Sequence, residues 1–364
     1  MMALAQHYWG KNFPERKGGE WKVIEKLQPK HHQTGGTFSV GYKVEDRNGR
    51  KAFMKSTDIG LLIRGEGDTL VKLQRAANEQ TFEREILDFC QGNSMDKVVH
   101  ALDYGDMPVV HNGINDSVFF IIFPLARGDA RSVINPGKGY DFLWTLSAMH
   151  SLSVAVQQLH TKSVAHNDIK PSNLLVFEKG EQKLSDLGRA TSESIVSPFE
   201  AYPHPGDMRY APPERIYRVQ NSSRFKTRVS FDERRVSDLY LLGSMGLFFT
   251  TGLHTTWAVD LLLRSEFLSI NWQGTFEEVL PQWRDAFSKV MMKTEDTLMR
   301  GTSGRSASVR QEFLGAIRQL CEPDPNLRGH PANQVGLYDR LSTERYVSLF
   351  SRLKSSYAIY VTNT

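Results

Sequence analysis

The sequence predicts an α+β protein in two parts. Short runs that alternate apolar and polar residues, rich in β-formers, fill residues 21–125, whereas long runs of helical period fill residues 126–355. We therefore expect a small five-stranded antiparallel sheet with one main helix, followed by a larger and mostly α part. Residues 1–20 are polar with Gly and Pro, which predicts a flexible lead-in, and residues 356–364 are predicted as a tail.

The first part of the chain carries the strand and hairpin signals. The dipeptide Asn48-Gly49 between two alternating runs is typical of a tight β-hairpin. One helix follows, with Phe82, Glu85, Ile86, Phe89 and Cys90 on one predicted face. The predicted strands are residues 21–28, 38–46, 51–57, 98–105 and 117–125.

Composition excludes several classes of protein. Among 364 residues, 40% are hydrophobic and 24% charged, which is ordinary globular usage. The excess of 45 basic over 41 acidic residues is too small to predict nucleic-acid binding. Two cysteines make neither a disulfide framework nor a zinc site, and we expect both to be buried. No apolar run approaches the roughly 20 residues of a membrane span, so a cytoplasmic location is expected.

Residues 166–190 carry the chemistry. Asp168 and Asn173 have the spacing D-x-x-x-x-N, and Asp186 follows in D-L-G. Carboxylate and amide oxygens suit magnesium, and a carboxylate near a hydroxyl can orient it for attack. We therefore assign Asn173 and Asp186 as metal ligands and Asp168 as the group that takes or orients the acceptor's proton. Lys170 is expected to meet the phosphoryl group that is transferred.

Five motifs in order resemble those of the eukaryotic-type, or Hanks-type, protein kinases. They are H-N-D-I-K-P-S-N, D-L-G, A-P-P-E, S-D-L-Y-L-L-G and C-E-P-D-P-N-L-R-G. The resemblance covers about residues 21–355 and implies the bilobal protein-kinase fold. It also implies that Asp238 holds the backbone of the catalytic loop, that Glu214 and Arg328 form a buried ion pair, and that His166 is structural.

The resemblance also implies a nucleotide site in the first part. Lys55, in A-F-M-K, should contact the α- and β-phosphates. Its helix partner should be Glu85, with Glu83 as the alternative. The segment Q-T-G-G-T-F-S-V stands where the family has its glycine-rich loop, with two of the three glycines replaced. In that loop, the residues expected to contact the nucleotide are Gly35, Gly36, Thr37 and Phe38. Ala52 and Leu175 should enclose the adenine, with Ile122 at the back of its pocket. The hinge residues Phe123 and Leu125 should bind the edge of the base, and Asp129 the ribose.

Departures from the family pattern suggest how the protein is regulated. Asn167 replaces the arginine that reads an activation-loop phosphate, so phosphorylation should not be required to order this loop. The hydroxyls of Thr191, Ser192, Ser194 and Ser197 still lie in the segment. Asp207 replaces a threonine that braces the catalytic loop. Residues 58–76 and 215–235 look like insertions and are candidate sites for a regulatory partner.

The resemblance implies a serine/threonine protein kinase that uses ATP and Mg²⁺, with Mn²⁺ as an alternative ion. Lys170 favours Ser and Thr acceptors, because tyrosine kinases of the family generally lack a lysine there. The expected partners are a protein substrate and ATP, with no nucleic acid. Two alternatives stay open: a pseudokinase or signalling scaffold, which the altered glycine-rich loop favours, and a small-molecule phosphotransferase, which the A-P-P-E motif and the late arginine oppose.

Overall fold

The chain divides into two compact units. A computed structural model describes residues 8, 10–14, 19–27, 39–57, 67–111, 114–133, 141–220, 229–302, 306–335 and 338–362. Unit 1 comprises residues 1–128 with 175–181, and unit 2 comprises residues 129–174 with 182–364. The sequence had placed the division after Leu125. Each unit is described by itself.

Unit 1 is built on an antiparallel sheet of six strands in the order β1-β2-β3-β4-β6-β5. Four of them, β2, β3, β4 and β6, coincide with predicted runs, because residues in those runs alternate between the core and the other face. The fifth prediction, residues 98–105, is displaced: β5 begins at Asp103 and shares only residues 103–105 with it. In β3 and β4 the register pairs Val44 with Ala52, and Ala52 pairs in turn with Pro124 of β6. The strands are β1 Asn12–Pro14, β2 Glu20–Lys26, β3 Ser39–Glu45, β4 Lys51–Thr57, β5 Asp103–His111 and β6 Ile114–Pro124.

The sixth strand, β1, corrects two predictions: the sheet has more than five strands, and residues 12–14 are not a flexible lead-in. Phe13 pairs with Trp21 of β2 and is fully buried. Its ring meets Phe120 edge-on at 5.1 Å between centroids. A three-residue strand is too short to display a period of two, so the alternation that revealed the other strands was absent here.

The main helix of unit 1, α1 Thr69–Gly92, begins earlier than predicted. The Asp68 side chain caps it by accepting a hydrogen bond from the Leu70 amide at 2.7 Å. Residues 69–76, assigned from the sequence to an insertion before the helix, are therefore helical; residues 58–66 lie outside the described part. The buried positions of α1 are Ala76, Phe82, Glu83, Ile86, Leu87 and Cys90.

Unit 2 is mostly helical and is organised around α5 Phe231–Thr251, which is buried along most of its length. A capping box between Ser230 and Glu233 starts this helix, and Gly252 in a left-handed conformation ends it. The other helices are α2 Ala130–Val133, α3 Phe142–Thr161, α4 Pro213–Gln220, α6 Thr255–Asp260, α7 Phe276–Gly301, α8 Ala307–Leu320 and α9 Glu344–Thr362. The short strands of unit 2 are β8 Val164–Ala165, β10 Gln182–Leu184 and β11 Thr191–Ser192. Two more, β7 Gly128–Asp129 and β9 Leu174–Val176, include residues of both units.

Two more segments differ from their predictions. Residues 356–362 belong to α9 and are not a separate tail; this helix buries Tyr346, Phe350 and Leu353. Within the predicted insertion 215–235, residues 215–220 complete α4 and residues 231–235 begin α5, while 221–228 lie outside the described part. In both cases a helix extends beyond the end that the sequence pattern predicts.

The two cysteines are buried, as predicted. Burial raises the pKa of both the Cys90 and the Cys321 thiol to about 12, so neither is set up as a nucleophile. Across the described residues, the structure contains no helix with the length and hydropathy that a membrane crossing requires.

Candidate active site

A single buried carboxylate holds the loop of residues 166–173 in unit 2, which the resemblance predicts to be the catalytic loop. Asp238, on α5, is 0% exposed. It accepts hydrogen bonds from the backbone N–H groups of His166 and Asn167, both at 2.7 Å. His160 at the end of α3 contacts the same carboxylate at 3.0 Å. These bonds fix the backbone before Asp168, and they confirm the role that the sequence assigned to Asp238.

His166 joins this loop to the segment that carries Asp186. Its Nδ1 accepts a hydrogen bond from the Asp168 backbone N–H at 3.2 Å. That bond leaves Nε2 as the protonated nitrogen, which donates to the Ser185 carbonyl at 3.0 Å. Both ring nitrogens are therefore engaged in holding backbone, which agrees with the structural role predicted for His166.

Asp168, Lys170 and Asn173 form one buried cluster. The Lys170 Nζ lies 2.8 Å from Asp168 Oδ2, and both side chains are 6% exposed. The Asn173 amide nitrogen donates to the Asp168 carbonyl at 2.8 Å and to its Oδ2 at 3.3 Å. Burial raises the pKa of Asp168, and the Lys170 ammonium opposes that rise. The predicted spacing thus places the carboxylate, the ammonium and the amide in direct contact.

The donor set of this loop and Asp186 fits a magnesium ion. Because the Asn173 nitrogen donates to Asp168, its Oδ1 is the atom available for a cation; the Ser172 hydroxyl contacts it at 3.2 Å. Asp186 adopts a left-handed backbone with φ of 65°, which is uncommon for a residue with a Cβ and is typical of functional sites. Amide and carboxylate oxygens are ligands that Mg²⁺ accepts.

Among the residues that the structure describes, no cluster of three or more His, Cys, Asp or Glu side chains is placed to hold a metal. A magnesium ion bound by Asn173 and Asp186 would therefore take its other ligands from water and phosphate, as this ion commonly does.

The segment before A-P-P-E approaches the catalytic loop closely at Gly206. A Cβ on Gly206 would lie 2.2 Å from the Asn167 carbonyl oxygen, so only glycine fits there. The next residue, Asp207, donates its backbone N–H to Asp168 Oδ1 at 2.9 Å. The sequence does not reveal the need for Gly206, because close approach of two backbones leaves no local sequence pattern.

The Asp207 side chain lies between two cations. Its Oδ2 is 4.0 Å from Lys170 Nζ and 2.6 Å from an Arg209 guanidinium nitrogen. Arg209 also donates Nε to Oδ1 at 2.9 Å. Burial alone would raise the pKa of Asp207, but the hydrogen bonds from Arg209 and the charge of Lys170 lower it overall. Asp207 is therefore an ionised carboxylate beside the cluster of Asp168, Lys170 and Asn173.

Asn167 holds the start of the activation segment with neutral hydrogen bonds. Its amide nitrogen donates to the Ala165 carbonyl, the Arg189 carbonyl and the Thr191 hydroxyl, each at 3.1 Å. Its φ of 64° is left-handed, a conformation that asparagine tolerates better than most residues. The residue that replaces the family's arginine thus bonds directly to the segment.

Two further arginines hold the same segment, and neither role is predicted from the sequence. Arg189 stacks on Phe199, with its guanidinium carbon 4.5 Å from the ring centroid. Arg234 on α5 donates to the Glu200 and Tyr202 carbonyls at 2.8 Å and 3.2 Å. Nothing in the sequence separates these residues from ordinary surface arginines, since both depend on tertiary contacts.

In unit 1, Lys55 pairs with Glu83 and not with Glu85. The Lys55 Nζ lies 2.7 Å from Glu83 Oε1, and the Glu83 side chain is 6% exposed. Glu85 is exposed. Two residues along an α-helix rotate the side chain by about 200°, so only one of the two glutamates can face the sheet. The preference for Glu85 was wrong because the exact phase of the helix was misjudged.

The other predicted nucleotide contacts are placed as follows. Ala52 is fully buried on β4, Phe123 lies opposite Phe53 on β6, and Leu175 is half-buried on β9. Asp129 is engaged locally, since Arg131 donates to both of its carboxylate oxygens. Leu125 follows the end of β6. The glycine-rich positions Gly35, Gly36, Thr37 and Phe38 lie outside the described residues.

Glu214 of A-P-P-E and Arg328 form the buried ion pair that the sequence predicted. The two nitrogens of Arg328 lie 2.7 Å and 2.9 Å from the two carboxylate oxygens. Arg328 is 0% exposed and also donates to the carbonyls of Glu322, Val236 and Pro323. This fork joins the end of the activation segment to the loop after α8.

Comparison with known proteins agrees with this site. A family model described as protein kinase domain matches residues 68–252, which is just over half of the chain. The match contains the catalytic loop, D-L-G and A-P-P-E, and it begins after Lys55. The chain belongs to the protein kinase family.

Individual relatives match over shorter stretches. The probable serine/threonine-protein kinase CHK1 homolog of Encephalitozoon cuniculi is 38% identical over 73 residues, 20% of this chain and 18% of that protein. Aurora kinase B of Danio rerio is 35% identical over 100 residues, 27% of this chain and 30% of that protein. Cyclin-dependent kinase G1 of Arabidopsis thaliana is 25% identical over 204 residues, 56% of this chain and 30% of that protein. The chain thus matches less than a third of the length of each relative.

The Glu214–Arg328 pair yields a stability prediction. Glu214→Gln leaves the Arg328 guanidinium buried without a counter-charge, so the free energy of unfolding should fall by about 3–5 kcal/mol. The matched control is Glu312→Gln, whose partner Arg352 is 56% exposed. That change should cost under about 1 kcal/mol. Urea unfolding of the two variants measures both values, and equal losses would contradict the prediction.

Proposed function

We propose that the protein transfers the γ-phosphoryl group of ATP to Ser and Thr hydroxyls of protein substrates, with Mg²⁺ as the metal. The observation that carries this proposal is the buried contact of Lys170 with Asp168, at 2.8 Å, together with the Asn173 amide on the same carboxylate. A scaffold protein has no need to bury a lysine, a carboxylate and an amide together in one loop, since burying such groups costs free energy.

In the proposed reaction, Asp168 accepts a hydrogen bond from the substrate hydroxyl and receives its proton as the oxygen attacks phosphorus. Burial favours the protonated form of Asp168 and so assists this transfer. Lys170 donates to the phosphoryl oxygens and offsets their charge as the bond to the leaving phosphate breaks. The Asp207 and Asn173 donors hold the carboxylate in one orientation throughout.

Asn173 and Asp186 are the residues proposed to hold the metal. Magnesium, when bound, would offset the negative charge of the nucleotide phosphates. Asn173 Oδ1 offers a neutral donor and Asp186 an anionic one. The hydrogen bonds of His166 and Asn173 keep both ligands' backbones in place, because Ser185, next to Asp186, donates its N–H to the Asn173 carbonyl at 2.8 Å.

The proposed nucleotide contacts are those predicted from the sequence, with Glu83 in place of Glu85. Lys55, held by Glu83, is proposed to contact the α- and β-phosphates. Ala52 and Leu175 are proposed to enclose the adenine, and the backbones of Phe123 and Leu125 to bind its edge. Asp129 can reach a ribose hydroxyl only by sharing its carboxylate with Arg131. The glycine-rich residues Gly35 to Phe38 are proposed to cover the phosphates through their backbone amides.

We also propose that the activation segment needs no phosphate to become ordered. Thr191, Ser192 and Ser197 are each under a tenth exposed. The Thr191 hydroxyl accepts from Asn167, and the Ser197 hydroxyl donates to the Ala190 carbonyl at 2.8 Å. A phosphate on either hydroxyl would break these bonds and would find no arginine at position 167. Ser194 is the exposed one of the four.

The loss of Asp186 tests the metal assignment. Asp186→Asn should abolish transfer of label from ATP to a generic basic protein, because an amide cannot neutralise the charge that the carboxylate shares with the metal. Thermal melting without nucleotide should stay within a few degrees of wild type. Near-normal activity in this variant would remove Asp186 as a ligand. Wild-type protein that binds ATP but transfers no label would favour the pseudokinase.

The glutamate that pairs with Lys55 can be tested by two matched variants. Glu83→Gln should lower the rate of transfer about tenfold or more, because Lys55 loses the charge that orients it. Glu85→Gln is the control, since this side chain is exposed on the same helix. Its rate should stay within about twofold of wild type. A larger loss in Glu85→Gln than in Glu83→Gln would contradict the ion pair.

Phosphate-free protein tests the regulation. Protein treated with a phosphatase, and verified by its mass, should keep an initial rate within about threefold of untreated protein, a barrier difference under ~1 kcal/mol. Ser194→Ala, which changes the exposed hydroxyl, should behave in the same way. A hundredfold loss in the treated protein, recovered on rephosphorylation, would show that loop phosphorylation activates the enzyme.

A further inference from the structure

An extra carboxylate stands beside the catalytic cluster, at Asp207, where the family has a threonine. A threonine hydroxyl is neutral and can brace the loop without changing its charge. Asp207 keeps a backbone brace, because its N–H donates to Asp168 Oδ1 at 2.9 Å. Its side chain, however, adds a negative charge 4.0 Å from Lys170 Nζ. The ammonium of Lys170 therefore lies near two carboxylates.

This second charge acts against phosphoryl transfer unless it is balanced. The group to be transferred is itself anionic, and it competes with both carboxylates for the single positive charge of Lys170. The Asp207 and Lys170 side chains are 13% and 6% exposed, so water screens them little. A free carboxylate at this position would draw the ammonium away from the phosphoryl oxygens.

Arg209 supplies the balance. It is bound to Asp207 through Nε–Oδ1 at 2.9 Å and Nη2–Oδ2 at 2.6 Å, a two-point geometry that fixes the carboxylate. The Arg209 side chain is 61% exposed, so its own packing contributes little. We propose that Arg209 and Asp207 are paired positioning residues of the proposed kinase reaction: Arg209 neutralises Asp207 so that Lys170 stays available to the transferred phosphoryl group. This inference rests on the proposed function.

The proposal predicts an order of activities that a simple brace would not give. Arg209→Ala exposes the uncompensated carboxylate and should lower kcat/KM for ATP by about tenfold or more. Asp207→Asn removes the charge but keeps the backbone N–H and the side-chain oxygen, so the loss should stay within about threefold. The double variant Asp207→Asn/Arg209→Ala should recover to the level of Asp207→Asn alone. Arg264→Ala is the control: Arg264 pairs with Glu266, two residues away as in Asp207–Arg209, and should leave activity at the wild-type level.

Two readouts keep this inference separate from the kinase activity. Transfer of label from ATP to a basic protein is measured together with the affinity for Mg·ATP by fluorescence, and melting temperatures check the fold. Recovery in the double variant, in either readout, supports charge compensation. Recovery of the affinity for Mg·ATP without any transfer of label still supports charge compensation and overturns only the proposed kinase activity. Equal losses in all three variants indicate a structural brace and overturn it, as does an Arg209→Ala variant that behaves like Arg264→Ala. Wild-type protein that neither binds nor transfers overturns both.

Discussion

The carboxylate of Asp238 is the contact on which the catalytic loop depends. It is buried on the central helix α5 and receives two backbone N–H groups at 2.7 Å, from His166 and Asn167. An ionised carboxylate without partners in such a place would be very costly, so the loop and the carboxylate stabilise each other. Asn167 keeps its left-handed conformation because the Asp238 carboxylate binds the backbone N–H groups of both His166 and Asn167.

From Asp238 the polar contacts continue into the activation segment. Asn167 bonds to Thr191, Asp168 accepts from the Asp207 backbone, and Arg234 on the same helix holds the Glu200 carbonyl. The Asn167–Thr191 contact is buried, and the other two are partly buried. These bonds hold the segment near its beginning, middle and end, which supports the proposal that it needs no phosphate to become ordered.

The sequence predicted the groups whose chemistry depends on local spacing. Asp168, Lys170 and Asn173 lie within one loop, so their separation along the chain nearly determines their contact. Predictions from the sequence were wrong where tertiary packing decides the structure. Glu83 and Glu85 have the same chemistry and differ only in helical phase. The Asn12–Pro14 strand depends on Phe13 packing against Phe120, and residues 356–362 extend a helix because α9 continues without a sequence signal at its end.

The two departures from the family pattern near Asp168 are related through charge. An arginine at position 167 would bring a positive charge to the loop, and a threonine at 207 would bring none. Here Asn167 is neutral, and the positive charge enters instead through Arg209, on the activation segment, with Asp207 as its partner. Asp168, Lys170, Asp207 and Arg209 then carry two negative and two positive charges within one set of contacts. The charges of these four side chains balance without a phosphate, which supports the proposal that the segment is ordered without one.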